Sequence, residues 1–138
     1  MQRLLIDTGA IYAFVARADE HHLGAREFIR DVIARDSLFV LLDLVFAESM
    51  ILLKSRQGAT VAIRAGRELR RNPLYQWTPL GSQGERDTWA AFQRYDDQDW
   101  SYTDCALLVV AQQLKIPDVF AFDEHFDQMP YVRRANNV

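Results

Sequence analysis

Short, continuously apolar runs alternate along this chain with segments of helical period, and no other feature constrains its fold as much. Leu4-Leu5-Ile6 and Leu38-Phe39-Val40-Leu41-Leu42 read as buried strands, and Tyr75-Gln76-Trp77-Thr78 as a short third. Val119-Phe120-Ala121-Phe122 predicts a fourth strand running into Asp123, and a last short strand is expected near Tyr131-Val132. Between these, Ala25, Phe28, Ile29, Val32 and Ile33 recur at helical spacing, so His22 to Arg35 reads as an amphipathic helix. Asp43 offers an N-cap to a helix through about Arg56, closed by Gly58. Ala59 to Arg71 forms another, stopped by Asn72-Pro73, and Ser82 to Tyr95 a further one with Trp89 and Phe92 on one face. Ser101-Tyr102-Thr103-Asp104 then opens a helix whose body, Ala106 to Ala111, is apolar on every side and belongs in the middle of a fold. Apolar strands separated by helices predict an α/β fold: a three-layer sandwich with a mostly parallel, roughly five-stranded sheet flanked by helices. The 138 residues fit one domain spanning 1–138.

Composition narrows the function classes. Apolar residues make up 49% and charged residues 25%, an ordinary soluble balance. No apolar run approaches the roughly 20 residues of a membrane helix, and MQRLLIDTGA meets an acid too early for a signal peptide. A cytoplasmic protein with no membrane partner is expected. Cys105 stands alone, which excludes an internal disulfide and a cysteine-based zinc site. The net charge of −3 does not advertise nucleic-acid binding, but four acids gathered on a metal would leave the remainder slightly basic. Lys54, Arg56, Arg64 and Arg67, with Arg70, Arg71, Arg133 and Arg134, offer either a phosphate-binding face or ordinary solvated helix flanks.

Asp7-Thr8-Gly9 is how an aspartic protease presents its catalytic acid. That enzyme needs an all-β scaffold and a second such acid, which this pattern of helices rules out. Ligands of open α/β sheets sit at the carboxyl ends of the strands. Asp7 and Asp123 end two strands, Glu48 lies one to two turns into the helix after the second strand, and Asp104 lies in the first turn of the apolar helix. Four acids thus map to one edge of the sheet. Two carboxylates about 5 Å apart at an effective dielectric of about 20 repel by roughly 3 kcal/mol, so such a cluster needs a counter-charge or a shared proton. No Lys or Arg adjoins Asp7, Asp104 or Asp123 in sequence, and a hard divalent cation, Mg²⁺ or Mn²⁺, answers the need. Each acid also has a purely structural reading. Asp7 and Asp123 can be N-caps, Ser101 and Asp104 can form a capping box, and Glu48 can be a surface residue. His21 and His22 read as a helix opening, and Cys105 as a small core residue.

The residues that carry these acids resemble a PIN domain, and within it the VapC-type toxins of toxin–antitoxin modules. The resemblance runs nearly end to end. It rests on Ile6-Asp7-Thr8-Gly9-Ala10, Asp19-Glu20-His21-His22, Val45-Phe46-Ala47-Glu48-Ser49, Trp100-Ser101-Tyr102-Thr103-Asp104-Cys105 and Ala121-Phe122-Asp123-Glu124-His125-Phe126. It implies a metal-dependent endoribonuclease whose acid quartet is Asp7, Glu48, Asp104 and Asp123. Asp7 and Asp104 would be the surest metal ligands, with Glu48 and Asp123 completing the set directly or through water. Thr8, Ser101 and Thr103 match positions whose hydroxyls orient carboxylates or water. It further implies an RNA substrate (transfer, ribosomal or messenger), a homodimer and a cognate antitoxin. Two other classes stand beside it: a PIN-like RNA- or protein-binding domain without catalysis, and a DNA-directed or phosphatase-like hydrolase on the same edge. The chain departs from the family late, where Asp127-Gln128-Met129-Pro130-Tyr131 replaces a run through Gln and a small residue to Gly-Phe. A different course for the last strand is expected there, with Asp127 in solvent.

Overall fold

The computed structural model describes residues 2–136. Its five strands are β1 (Arg3–Ile6), β2 (Leu38–Leu42), β3 (Tyr75–Thr78), β4 (Asp118–Phe120) and β5 (Arg133–Arg134). They form one sheet in the order β3-β2-β1-β4-β5. Every pairing is parallel, so the sheet is wholly rather than mostly parallel. A parallel neighbour requires a crossover, and helices supply most of them: α1 (Thr8–Val15), α2 (His22–Ala34), α3 (Asp43–Gln57), α4 (Ala59–Arg71), α5 (Gly81–Arg94) and α6 (Tyr102–Leu114).

Burial follows from the apolar runs. Leu4 to Ile6, Phe39 to Leu42 and all of β4 are buried, which requires cover on both faces of the sheet. Helix α6 is buried without interruption from Thr103 to Ala111. Phe120 anchors the centre, its ring 4.4 Å from that of Phe28 and 5.8 Å from that of Phe39. Gly58 joins α3 to α4 at φ 91 and ψ 164, a conformation that essentially only glycine adopts. Among the described residues, no helix is long and apolar enough to cross a membrane.

The strand order places the site. The chain starts at the middle of the sheet, builds outward through β2 and β3, and then returns to add β4 on the other side of β1. Order therefore reverses between β1 and β4, and the crevice beyond the carboxyl ends of those two strands is where such sheets bind ligands.

The last third differs from the sequence reading. Strand β4 stops at Phe120, because the Ala121 N–H bonds to Asn136 Oδ1 at 3.2 Å instead of extending a ladder. A 3-10 helix, Glu124–Gln128, follows. Strand β5 lies at Arg133–Arg134, directly after the expected Tyr131-Val132, since Tyr131 takes a left-handed φ of 71 that no strand accommodates. Asp43 is the first residue of α3 rather than its cap, and its Oδ1 accepts from the Leu44 and Leu80 amides.

Candidate functional site

Asp7 follows β1 directly, and its own N–H donates to Phe120 O at 3.0 Å, which locks it to the end of β4. Its extended backbone makes it the N-cap of α1, with Oδ2 accepting from Gly9 N at 3.4 Å. Asp104 is placed by the capping box of α6. Its Oδ2 accepts from Ser101 N at 2.8 Å, and its own N–H donates to Ser101 Oγ at 3.0 Å. Both carboxylates are in residues only 8% exposed. Burial, and then the nearby Asp104 charge, push the Asp7 carboxyl from 3.8 up to about 7. The same two causes raise the Cys105 thiol, which sits buried behind Asp104.

Glu48 reaches this pair from α3. Its Oε2 accepts from Thr8 Oγ1 at 3.3 Å and its Oε1 from Thr103 Oγ1 at 2.9 Å. Those hydroxyls belong to the residue after Asp7 and the residue before Asp104, so Glu48 fastens the two halves of the site together. Asp123 caps the 3-10 helix, its Oδ1 accepting from His125 N at 3.0 Å. Its side chain is 58% exposed, and it stands at the rim.

Sequence reasoning gave His125 no role, yet it bridges the acids. Its Nδ1 lies 2.7 Å from Asp123 Oδ1 and its Nε2 3.2 Å from Asp104 Oδ2. The second contact is close enough for charge attraction but off the line of a hydrogen bond, so the buried Nε2 lacks a hydrogen-bond partner among the described residues. Burial alone would lower this imidazole, but its contact with the Asp104 carboxylate and then the charges of Asp104, Asp123 and Asp7 outweigh it and raise it. The group that faces the acids is therefore not a Lys or Arg but a histidine two residues after Asp123. The Asp-x-His spacing in a turn was the available signal.

The other candidates lie elsewhere. Asp127 is exposed to solvent, as expected, and Arg134 holds it there by two bonds, Nε at 2.9 Å and Nη2 at 2.8 Å. Those bonds keep its carboxyl below the usual range. His22 Nδ1 lies 2.9 Å from Ala13 O, and His21 stacks on Phe122 at 4.4 Å. Trp100 is core, whereas Trp89 is exposed. Arg56 lies over the Tyr12 ring, and Arg64 lines a cavity of about 570 Å³ with Phe14, Arg17 and Tyr75. Among the described residues, no ion pair or hydrogen bond joins Lys54, Arg56, Arg64 or Arg67 to the four acids.

Three carboxylates share one pattern. Asp7, Asp104 and Asp123 each commit one oxygen to protein donors, and among the described residues no hydrogen bond reaches Asp7 Oδ1, Asp104 Oδ1 or Asp123 Oδ2. Hard oxygen donors of this kind suit Mg²⁺ or Mn²⁺. Among the described residues no three acidic, histidine or cysteine side chains are disposed to enclose an ion by themselves. Mg²⁺ does not need such a cage, since it keeps several waters and binds through one or two carboxylates plus substrate phosphates. Asp7 and Asp104 fit that description.

The family model of the PIN domain matches residues 4–131. No curated protein matches the chain in sequence. Among solved structures, the chain is similar to VapC20 of Mycobacterium tuberculosis, a Sarcin-Ricin loop cleaving toxin. That likeness has a TM-score of 0.83 at 22% identity and covers 94% of this chain and 96% of the other. VapBC2 from Rickettsia felis, bound to a DNA fragment from its promoter, gives 0.68 at 9% identity over 95% and 96% of the two chains. A toxin–antitoxin complex from Klebsiella pneumoniae gives 0.62 at 16% identity over 94% and 95%. At these identities the likeness is one of fold.

Proposed function

The chain belongs to the PIN domain family, and from that premise we propose that it is a Mg²⁺- or Mn²⁺-dependent endoribonuclease, the toxin of a type II toxin–antitoxin pair. The observation that carries the reading is the buried pair Asp7 and Asp104 at the switch point of the sheet, each with one oxygen that no donor among the described residues reaches. Such a pair is costly without a cation, and Asp7 is pushed toward holding a proton in its place. VapC20 is a toxin that cleaves RNA in the Sarcin-Ricin loop, which supports RNA over DNA as substrate. The two toxin–antitoxin assemblies of the same fold support an antitoxin partner. A homodimer working in the cytoplasm completes the proposal.

When bound, the divalent ion supplies an activated water and neutralises charge developing on the phosphate. Asp7 and Asp104 hold it, and their caps to α1 and α6 fix the carboxylates before substrate arrives. Glu48, pinned through both oxygens by Thr8 and Thr103, retains lone pairs with which to accept from a nearby water and orient it. Asp123, at the rim, completes the anionic edge where the phosphodiester enters. The reaction is hydrolysis by in-line attack at phosphorus.

The alternative is an RNA- or protein-binding PIN domain without catalysis. One experiment separates the two. Purified protein is incubated with mixed transfer and ribosomal RNA, with Mn²⁺, with chelator, and as Asp104→Asn. Discrete fragments that vanish with both chelator and variant establish the nuclease. Cutting that persists in the variant contradicts the site, and RNA binding without cutting favours the second reading.

A further inference from the structure

His125 stands where the buried and the exposed acids meet. Its ring packs against Phe126 at 4.4 Å, and Phe126 is fully buried. On Asp123 it approaches Oδ1, the same oxygen that its own backbone N–H already occupies. On Asp104 it approaches Oδ2, the oxygen already taken by Ser101 N. On both carboxylates, then, it meets the oxygen used for capping and leaves the other alone. That is how an orienting group behaves, because a carboxylate held by one oxygen presents the second in a set direction. Its Nε2 is buried against Asp104, so the ring works through the acids rather than by touching RNA.

We infer that His125 is a positioning residue, tying Asp104 and Asp123 into one unit so that Asp104 Oδ1 and Asp123 Oδ2 are held ready for a divalent cation. This rests on the metal-dependent reading of the site. It also gives Asp123, 58% exposed at a turn, a second restraint beside its cap on the His125 backbone N–H.

The test is Mn²⁺ affinity of the full chain by titration calorimetry, which needs no substrate. Native protein is compared with Asp104→Asn, with His125→Phe, which keeps the ring packing and removes both nitrogens, and with His125→Gln, which keeps one donor. His125→Phe is expected to weaken Mn²⁺ binding by about 10–100-fold, with unchanged circular dichroism, and His125→Gln to recover part of the loss. Affinity in His125→Phe equal to or tighter than native overturns the inference. Should that variant not fold, His125→Gln decides: a few-fold loss supports the role, and native or tighter affinity overturns it. Nitrogen couplings from a directly bound imidazole in the Mn²⁺ spin-echo spectrum of native protein would also overturn it. Native protein that binds no Mn²⁺, or binds it no better than Asp104→Asn, instead contradicts the metal reading itself and takes the inference with it.

Discussion

The acid edge has two halves, built differently. Asp7, Glu48 and Asp104 sit on the end of a central strand and on two helices, the two aspartates nearly dry and Glu48 half-buried, and each is fixed by a cap or a pair of hydroxyls. Asp123 and His125 sit on a single 3-10 turn that follows a three-residue strand. That turn is held from outside by the Arg134–Asp127 pair and from beneath by Phe126. The first half gathers carboxylates where water is scarce, and the second half puts Asp123 at the solvent and carries the histidine that faces them. On the proposed reading the two halves do different work: the buried pair Asp7 and Asp104 grips the ion, and the rim positions the carboxylates around it.

The largest effect expected from breaking this contrast is at Asp104. Asp104→Asn keeps an oxygen for the capping box but removes the charge, and should cost several kcal/mol of transition-state stabilisation, on the order of 10³-fold in RNA cleavage. Single-turnover rates on a defined fragment check it. A loss no greater than that of a rim variant would dissolve the distinction between the halves.

Next comes the price of the buried charge, seen in the metal-free protein. The Asp7 carboxyl titrates at 3.8 when unfolded and about 7 when folded, so the fold binds the proton more tightly and stability falls as pH rises between those values. The raised His125 acts in the same direction, adding stability below its unfolded value that is lost as pH climbs through the folded one. From Asp7 alone, urea unfolding in chelator should show about 3 kcal/mol less stability at pH 8 than at pH 5. Asp7→Asn, still a good N-cap, should remove most of that slope and melt several degrees higher at pH 8 while losing cleavage. A flat profile in native protein would mean that the acids are not coupled.

At the rim the effects shrink. Asp123→Asn should lower cleavage about tenfold, with little change in the pH dependence of stability. Arg134→Ala releases Asp127 and loosens the turn from outside, and should cost only a few-fold in cleavage. If either matched Asp104→Asn, the rim would be part of the ion's principal grip.

The same division decided what could be read from sequence. Elements whose signals are local and continuous were legible. The apolar runs marked β1 and β2, the spacing from Ala59 to Asn72-Pro73 marked α4 to the residue, and the all-apolar body of α6 marked the central helix. The resemblance singled out Thr8, Ser101 and Thr103: the two threonine hydroxyls donate to Glu48, whereas the Ser101 hydroxyl accepts from the Asp104 backbone N–H. The end of the chain was harder, because its structure rests on long-range partners. Asn136 ends β4, a left-handed Tyr131 displaces β5, and Arg134 draws in Asp127. None of these leaves a periodic trace. His125 escaped for a related reason: a histidine in a turn says little until the fold sets it beside Asp104.

The central claim is that Asp7 and Asp104 together hold the ion. Crystals soaked in Mn²⁺ and measured at the manganese edge test it most directly. The account predicts an anomalous peak bonded to one oxygen of each carboxylate, absent from Asp104→Asn crystals. A peak that avoids Asp7 and Asp104, or one that persists unchanged in the variant, would contradict it.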